Sequence, residues 1–407
     1  MLKNYRVLDL TDEKGFFCGK ILGDLGADMI KIEKPAGDGS RRIGPFFHDT
    51  SDPEKSLHWF ALNASKQGIT LNIEDPEGKE IFKKLADTAD VIIESFTPGY
   101  MDALGIGYAA LSARNPRLVM TSITAFGQTG PYKDRKASDI TLLAMSGLMS
   151  INGDRDRAPL RMCLDQSYYL ASAQAAAGTL LAIQCRYASG KGQQVDVSIY
   201  EVAVRANYRE PFRWEWEKAK TPRNGNFFAR GSAAFRQLWP SKDGYVTWMI
   251  MMENAKPVRG WVEWMKEENQ AGKWGDINWD EVTNFLKWSP EDIEAIQQSI
   301  AGFILTHTTK ELETGSIKRS LLLSPVNPVN FVAEDEQLMA RNFWKKVEHP
   351  ELKTAFNYPR FTYLSSEDNN EVRFRAPLIG EHNNEIYGKE LAFSEEDITS
   401  LRKRGIL

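Results

Sequence analysis

The first residue in this 407-residue chain that could do chemistry is Asp165. It precedes a run of small and apolar residues, Ala171, Ala173, Ala175, Ala176, Ala177 and Gly178 leading to Leu180 and Leu181, which predicts a helix built for close packing. An acid at the mouth of such a helix has an ordinary use as the N-cap that accepts a backbone N–H from the first turn. A second group is cationic: Lys34, Arg41, Arg42, Lys66, Arg135 and Lys136 lie in or beside candidate loops. Each alone reads as a solvated surface charge. Grouped on one rim, they could bind a diphosphate and a further phosphate, with Arg supplying a fork of donors and Lys a point charge. Cys18, Cys163 and Cys185 are too few and too scattered for a disulfide framework or a metal cage. None of the five histidines is near Cys163 in sequence, so that thiol reads as packing and not as a nucleophile.

The elements that must position these residues alternate in type. "YRVLDLT" predicts a strand, "FFCGKILGDLGAD" a helix closed by Gly26, and "MIKIEKP" a second strand. "KQGITLNI", "VIIESF" and "RLVMTSITAFG" predict further strands, and "DPEGKEIFKKLADTAD" a helix with Pro76 in its first turn. Strands that alternate with crossover helices make a parallel sheet, and ligands bind in the loops that leave its strand C-termini. The loops to search are therefore "EKPAGDGSRR", "ESFTPGY" and "TAFGQTGPYKDRKASD". "GKGQQVDVSIYEV" predicts a turn followed by a strand or a helix start.

Length suggests about two domains. The expected division is a large domain over 1–207, a smaller Trp-rich domain over 208–341, and a segment over 342–407 that returns to complete the large one. A composition of 42% hydrophobic and 26% charged residues is that of an ordinary soluble globular protein. The net charge of -4 argues against nucleic acid or an anionic membrane as partner, since neither phosphate surface attracts it globally. No signal-peptide pattern and no bilayer-length apolar run is present, which makes cytoplasmic location the expectation. No G-x-G-x-x-G, Walker or zinc spacing appears, and no metal is expected.

The stretches "LGADMIKIEKPAGD", "NASKQGITLNIEDPEGKEIFKKLADTADVIIESFTPGYMDALGIGY", "LSARNPRLVMTSITAFGQTGPYKDRKASDITLLAMSGLM", "SGKGQQVDVSIYE" and "RAPLIGEHNNEI" resemble the class III CoA-transferases, the CaiB/BaiF family of formyl-CoA transferase, carnitine CoA-transferase and the α-methylacyl-CoA racemases. They cover the first half densely and the tail clearly, and the middle only weakly. The resemblance implies a Rossmann-like α/β large domain, a smaller α+β domain and an interlocked dimer, whose second chain is identical or a related subunit. It implies coenzyme A, as acyl-CoA, for a substrate, with a free carboxylic acid as the other and no metal. It also implies that Asp165 is the nucleophile. An aspartate, with a reference pKa near ~4, is ionised at neutral pH and needs no base to activate it. By the same resemblance CoA would lie along Lys14, Lys34, Leu71, Ser95, Phe96, Thr97 and Lys136. The chain departs from the family pattern at Ala103, where a relative carries Arg, and at Glu74, where a basic residue is usual. Phosphate contacts would then pass to Arg41, Arg42 or Arg135. The "RNGNFFARGS" loop, with Gly225 and Gly231, is the candidate source of N–H donors for developing oxyanions.

The racemase branch needs a base on each face of its substrate and places a His where this chain has Ser138, with Asp139 following. A serine hydroxyl accepts no proton at neutral pH, so transferase is the favoured reading and Asp139 is expected to be structural, a cap or a sheet-end acceptor. The alternatives are a racemase using Glu201 or Glu253 as its base, and a catalytically silent CoA-binding subunit of a hetero-oligomer. Eleven Trp, 20 Phe and 13 Tyr are compatible with an aromatic acid in the small domain, although aromatic residues more often form core. The N-terminal stretches look most like relatives acting in anaerobic aromatic degradation, which implies an aromatic or dicarboxylic acid such as benzylsuccinate, with succinyl-CoA as donor. If the substrate is a diacid, Arg161, Tyr168 and Arg205 are candidates for its second carboxylate.

Overall fold

The computed structural model describes residues 1–230, 233–251, 254–282, 284–367 and 370–407. Strands β1 (Arg6–Leu10), β2 (Asp28–Glu33), β3 (Gln67–Thr70), β4 (Val91–Glu94), β5 (Val119–Thr124) and β6 (Gln194–Ser198) form one sheet in the order β3-β2-β1-β4-β5-β6. Every pairing in it is parallel, as the alternation of apolar strands and crossover helices requires. Neighbouring residues of one strand feed opposite faces. Leu8, Ile30 and Ile92 pack with Phe82 and Leu85 of the Pro76–Asp87 helix. Val7, Met29 and Val91 pack against Leu22 of the Phe16–Asp24 helix and Ala171 and Ala175 of the Gln166–Ser189 helix. The small side chains of that long helix let it approach the sheet closely, and Thr179 joins Thr121 of β5 through a 2.7 Å hydroxyl contact.

The order of the strands reverses between β1 and β4, and there the loops that leave the two strands diverge. Such a switch point opens a crevice at the carboxyl edge of a parallel sheet. The chain's last segment closes the sheet's other end. His382 N–H donates to the Gly68 carbonyl at 2.9 Å, Gly68 N–H donates to His382 Nδ1 at 3.1 Å, and the Asn383 side chain accepts from Thr70 N–H at 2.9 Å. The edge strand β3 thus has its polar backbone groups covered by the "RAPLIGEH" segment.

Two compact units are built from the chain. The first contains Met1–Leu148, Arg161–Ala219 and Gln337–Leu407, and the second Met149–Leu160 and Lys220–Glu336. The second unit holds a two-stranded ribbon, β7 (Phe227–Arg230) with β8 (Ala233–Arg236), and a three-stranded antiparallel sheet of β9 (Leu238–Pro240), β10 (Tyr245–Thr247) and β11 (Ser324–Pro325). Its core is aromatic. Trp239, Trp248, Trp261, Trp264, Trp274 and Trp279 are buried with Phe285 and Phe303, so these indoles are its packing material.

A Cβ at Gly68 would stand 2.6 Å from Pro377 Cβ, a rigid ring that cannot swing aside. Gly68→Ala is expected to destabilise the first unit by roughly 1–3 kcal/mol through overpacking at this seam. Urea denaturation of the variant checks this.

Candidate active site

Asp165 occupies the N-cap position of the Gln166–Ser189 helix but does not cap it with its side chain. Its backbone carbonyl accepts the N–H groups of Tyr168 and Tyr169 at 3.0 and 3.2 Å. The side-chain cap comes from elsewhere. Asp139, buried at the start of the Asp139–Met145 helix, accepts Ser167 N–H at 2.9 Å and Ser167 Oγ–H at 2.7 Å through one carboxylate oxygen. Its other oxygen accepts Arg161 Nε–H and Nη2–H at 3.2 and 3.0 Å. The same Arg161 Nη2 donates to Asp165 Oδ1 at 2.9 Å. With the first turn capped by a remote acid, the Asp165 carboxylate is free to face outward, and it is 37% exposed. Leu164, the residue before it, holds φ +60, a left-handed conformation that a leucine adopts only under constraint.

The helix mouth adjoins the loop that leaves β1. Ser172 Oγ–H donates to the Lys14 carbonyl at 3.1 Å, and the Phe17 and Tyr169 rings meet edge to face with centroids 5.7 Å apart. Tyr168 is buried here, and burial together with the fields of Glu13 and Asp165 raises its phenol. His58, from the Leu57–Asn63 helix, completes the group. Burial pushes its imidazole below the usual range, against the opposing fields of Asp165 and Glu13, and its Nε2 is buried with no hydrogen-bond partner among the described residues. Sequence reasoning missed His58 because a lone His in the apolar run "SLHWFALN" carries no spacing signal.

At the switch point a cavity of about 450 Å³ opens between the loops after β1, β2 and β4. Ser95 bridges two of those loops: its Oγ accepts Asp12 N–H at 2.8 Å and donates to Asp12 Oδ1 at 2.7 Å. Of the expected CoA-contacting residues, Lys34, Leu71, Ser95 and Phe96 line the cavity. Lys14 is paired with Asp12, which lines the cavity, and Thr97 is exposed beside Phe96. Lys34 is 70% exposed and reaches Glu74 at 3.3 Å, with Glu74 also accepting Tyr100 O–H at 2.7 Å, so the departure at Glu74 places an acid against this exposed cation. Arg135 and Lys136 are exposed on the loop after β5 and do not line the cavity, with Arg135 stacked 3.8 Å over the Tyr132 ring.

Two cations read from sequence as phosphate ligands are corrected by their burial. The Cζ of Arg41 lies 3.8 Å from the centroid of the Trp59 ring, and the side chain is about 1% exposed. It donates to Glu33 through Nε and Nη2 at 2.6 and 2.8 Å, to Glu54 at 2.7 Å and to the Pro377 carbonyl at 2.8 Å. Lys66 is fully buried and donates to Asp9, Asn63 and the Phe16 carbonyl at 2.8, 2.8 and 3.0 Å. Both belong to the frame, and Arg42 is the exposed cation of the pair it forms with Arg41. Gly225 lies in the second unit and its N–H donates to the Gly153 carbonyl at 3.0 Å, so it is not a vacant oxyanion donor. Gly231 and Glu253 lie outside the described residues. Glu201 and Arg205 are exposed on the Ile199–Ala206 helix. Among the described residues no cluster of His, Cys, Asp or Glu is placed to hold a metal, and no helix is long and apolar enough to cross a membrane.

Glu94 ends β4 under the cavity floor and is 3% exposed. Burial pushes its carboxyl up to about 7 from the usual 4.5, against hydrogen bonds from Ser122 and the Phe96 amide. The folded protein therefore holds this proton more tightly than the unfolded chain. The associated stability is full below pH 4.5 and is lost as pH rises through about 7. Between pH 5 and 8 the wild type is expected to lose about 2 kcal/mol more than Glu94→Gln, measured by urea denaturation at both pH values.

A family model described as CoA-transferase family III matches residues 2–383. The chain is 33% identical over 403 residues to "Succinyl-CoA:(R)-benzylsuccinate CoA-transferase subunit BbsE" of Thauera aromatica, covering 98% of this chain and 97% of that one. It is 29% identical over 411 residues to "Succinyl-CoA--D-citramalate CoA-transferase" of Chloroflexus aurantiacus, covering 100% and 98%. Among solved structures, a CAIB/BAIF family protein from Brucella suis is similar with a TM-score of 0.83 and 25% identity, over 95% of this chain and 98% of that one. The parallel sheet, its switch-point cavity and the helix mouth beside it are thus those of a chain that belongs to CoA-transferase family III, whose members act on CoA thioesters.

Proposed function

We propose that this protein transfers CoA from an acyl-CoA donor to a free carboxylic acid, with Asp165 as the nucleophile. The observation that carries this reading is the exposed carboxylate of Asp165, held by Arg161, at a helix mouth that Asp139 already caps. An Asp165 oxygen attacks the thioester carbon of the donor, a C–O bond forms, the C–S bond breaks, and CoA leaves as thiolate. The thiolate then attacks the Asp165 carbonyl of the mixed anhydride, giving an aspartyl-CoA thioester and the donor's free acid. The incoming acid reverses both steps. One thioester is exchanged for another, so the energy of the donor's C–S bond is conserved, and the barrier falls because the reacting groups are held together, where effective molarities of ~10⁵ M or more are attainable.

CoA lies with its adenosine end in the switch-point cavity, whose walls include Leu71, Ile73, Phe96 and Tyr100, and its phosphates face Lys34, Arg42, Arg135 and Lys136. The first relative named above acts on succinyl-CoA and (R)-benzylsuccinate, which supports succinyl-CoA as donor and an aromatic or dicarboxylic acid as acceptor. It is also a subunit, and that supports a dimer with a second copy or a related chain. The exposed side chains of Leu181, Tyr187, Phe212 and Trp216 in the first unit supply apolar surface for such a contact.

His58 supports a second reading. A histidine held below its usual range by burial, within the opposing field of Asp165, would be a second proton acceptor of the kind a racemase requires, although Ser138 replaces the histidine of that branch. Incubating wild-type protein with a 2-methylacyl-CoA in D₂O separates the two: deuterium at C2 without acyl exchange favours racemisation. Under the transferase reading, exchange between succinyl-CoA and labelled benzylsuccinate or succinate proceeds with no C2 label. Asp165→Ala is then expected to lose exchange by more than about 10³-fold, and retention of full exchange would remove the nucleophile. Light scattering is expected to report twice the chain mass, and a monomer at micromolar concentration would contradict the dimer.

A further inference from the structure

Arg161 holds two carboxylates at once. Toward the interior it is anchored by Asp139, which is 2% exposed and has its other oxygen fixed by Ser167 N–H and Oγ–H. Toward the outside its Nη2 meets Asp165 at 2.9 Å, where Arg161 and Asp165 are 40% and 37% exposed. Nη2 also approaches the Leu164 carbonyl at 3.4 Å, and Nη1 has no partner among the described residues. The anchor does not depend on Asp165. A guanidinium fastened in this way keeps its position and its charge whatever becomes of the outer carboxylate.

In the cycle proposed above, the centre carries one negative charge at every stage. It resides on Asp165 in the free enzyme, on the CoA thiolate beside the anhydride, and on the free acid beside the aspartyl-CoA thioester. Acylation turns Asp165 into a neutral and weaker acceptor, so Arg161 loses the anion it faced just as a new carboxylate must be held beside the thioester carbonyl. We infer that Arg161 is the receptor for the reacting carboxylate of the acid substrate, taking it through Nη1 and Nη2 when Asp165 carries CoA. This rests on Asp165 as nucleophile. In the step so assisted, a carboxylate oxygen of the acid attacks the thioester carbon. The C–O bond forms, the C–S bond breaks with its electron pair going to sulfur, and the charge passes from carboxylate to thiolate with no proton consumed. The leaving donor acid occupies the same fork before it departs, so the two acids compete for one place.

The test uses the full-length protein loaded with succinyl-CoA, with the Asp165–CoA adduct followed by mass spectrometry after rapid quenching. Discharge of the adduct is timed against succinate or benzylsuccinate and, separately, against hydroxylamine, a neutral nucleophile that needs no cation to hold it. Arg161→Gln is expected to slow discharge by the acids roughly ten- to hundredfold while discharge by hydroxylamine changes less than about threefold. Arg161→Lys, which keeps the charge and loses the fork, is expected to fall between. If both nucleophiles slow by the same factor in both variants, Arg161 serves only to shape the site and the inference is overturned. Unchanged discharge by the acids in a folded variant overturns it as well. Wild-type protein that exchanges CoA but never carries an adduct on Asp165 overturns the underlying nucleophile reading instead.

Discussion

The site depends on one displaced helix cap. A helix start leaves N–H groups without partners, and the residue at the N-cap position normally supplies the acceptor. Here Asp139, from another helix, supplies it to Ser167. The acid that stands at the cap position is thereby released from capping and stays exposed, as the proposed nucleophile requires. Arg161 makes this stable by joining the two carboxylates, which would otherwise repel each other near a common helix end. The stiffness of the arrangement comes from burial of Asp139, since a buried acid that lost its partners would cost several kcal/mol.

Beneath the cavity, charges serve as scaffolding. Asp9 is fully buried, and although burial opposes its ionisation, Lys66 and Lys31 together with Thr11 hold it below the usual carboxylate range. Glu33 and Arg41 form a second interior pair with Trp59 stacked on the guanidinium. These pairs link β1, β2, the Leu57–Asn63 helix and the Pro377 carbonyl of the returning segment. They brace the strand ends from which the pocket loops spring, and they take these cations out of solvent.

Much of the fold was legible in the chain. Short apolar strands separated by helices with Pro or Gly at their ends announce a parallel sheet, because only crossover helices can return the chain to the same edge. The small-residue run after Asp165 announced a tightly packed helix, and Asp139 was legible as structural. Which helix end Asp139 caps was not. Its partner Ser167 is 28 positions away, and no local pattern encodes a cap supplied across that distance. His58 was hidden for a similar reason, since its significance comes from Asp165, which lies in another element.

The sequence by itself determined the order and type of the main-sheet elements and the family to which the chain belongs, because those depend on local periodicity and on motif strings. Tertiary structure alone decided which charges are available. Arg41 and Lys66 read as loop cations, yet carboxylates on neighbouring strands draw them inside, while Lys34, of the same apparent kind, stays in water. Whether a charge is framework or ligand depends on which partners folding brings within about 3 Å of it, and the dielectric cost of burying it without them makes that choice nearly absolute.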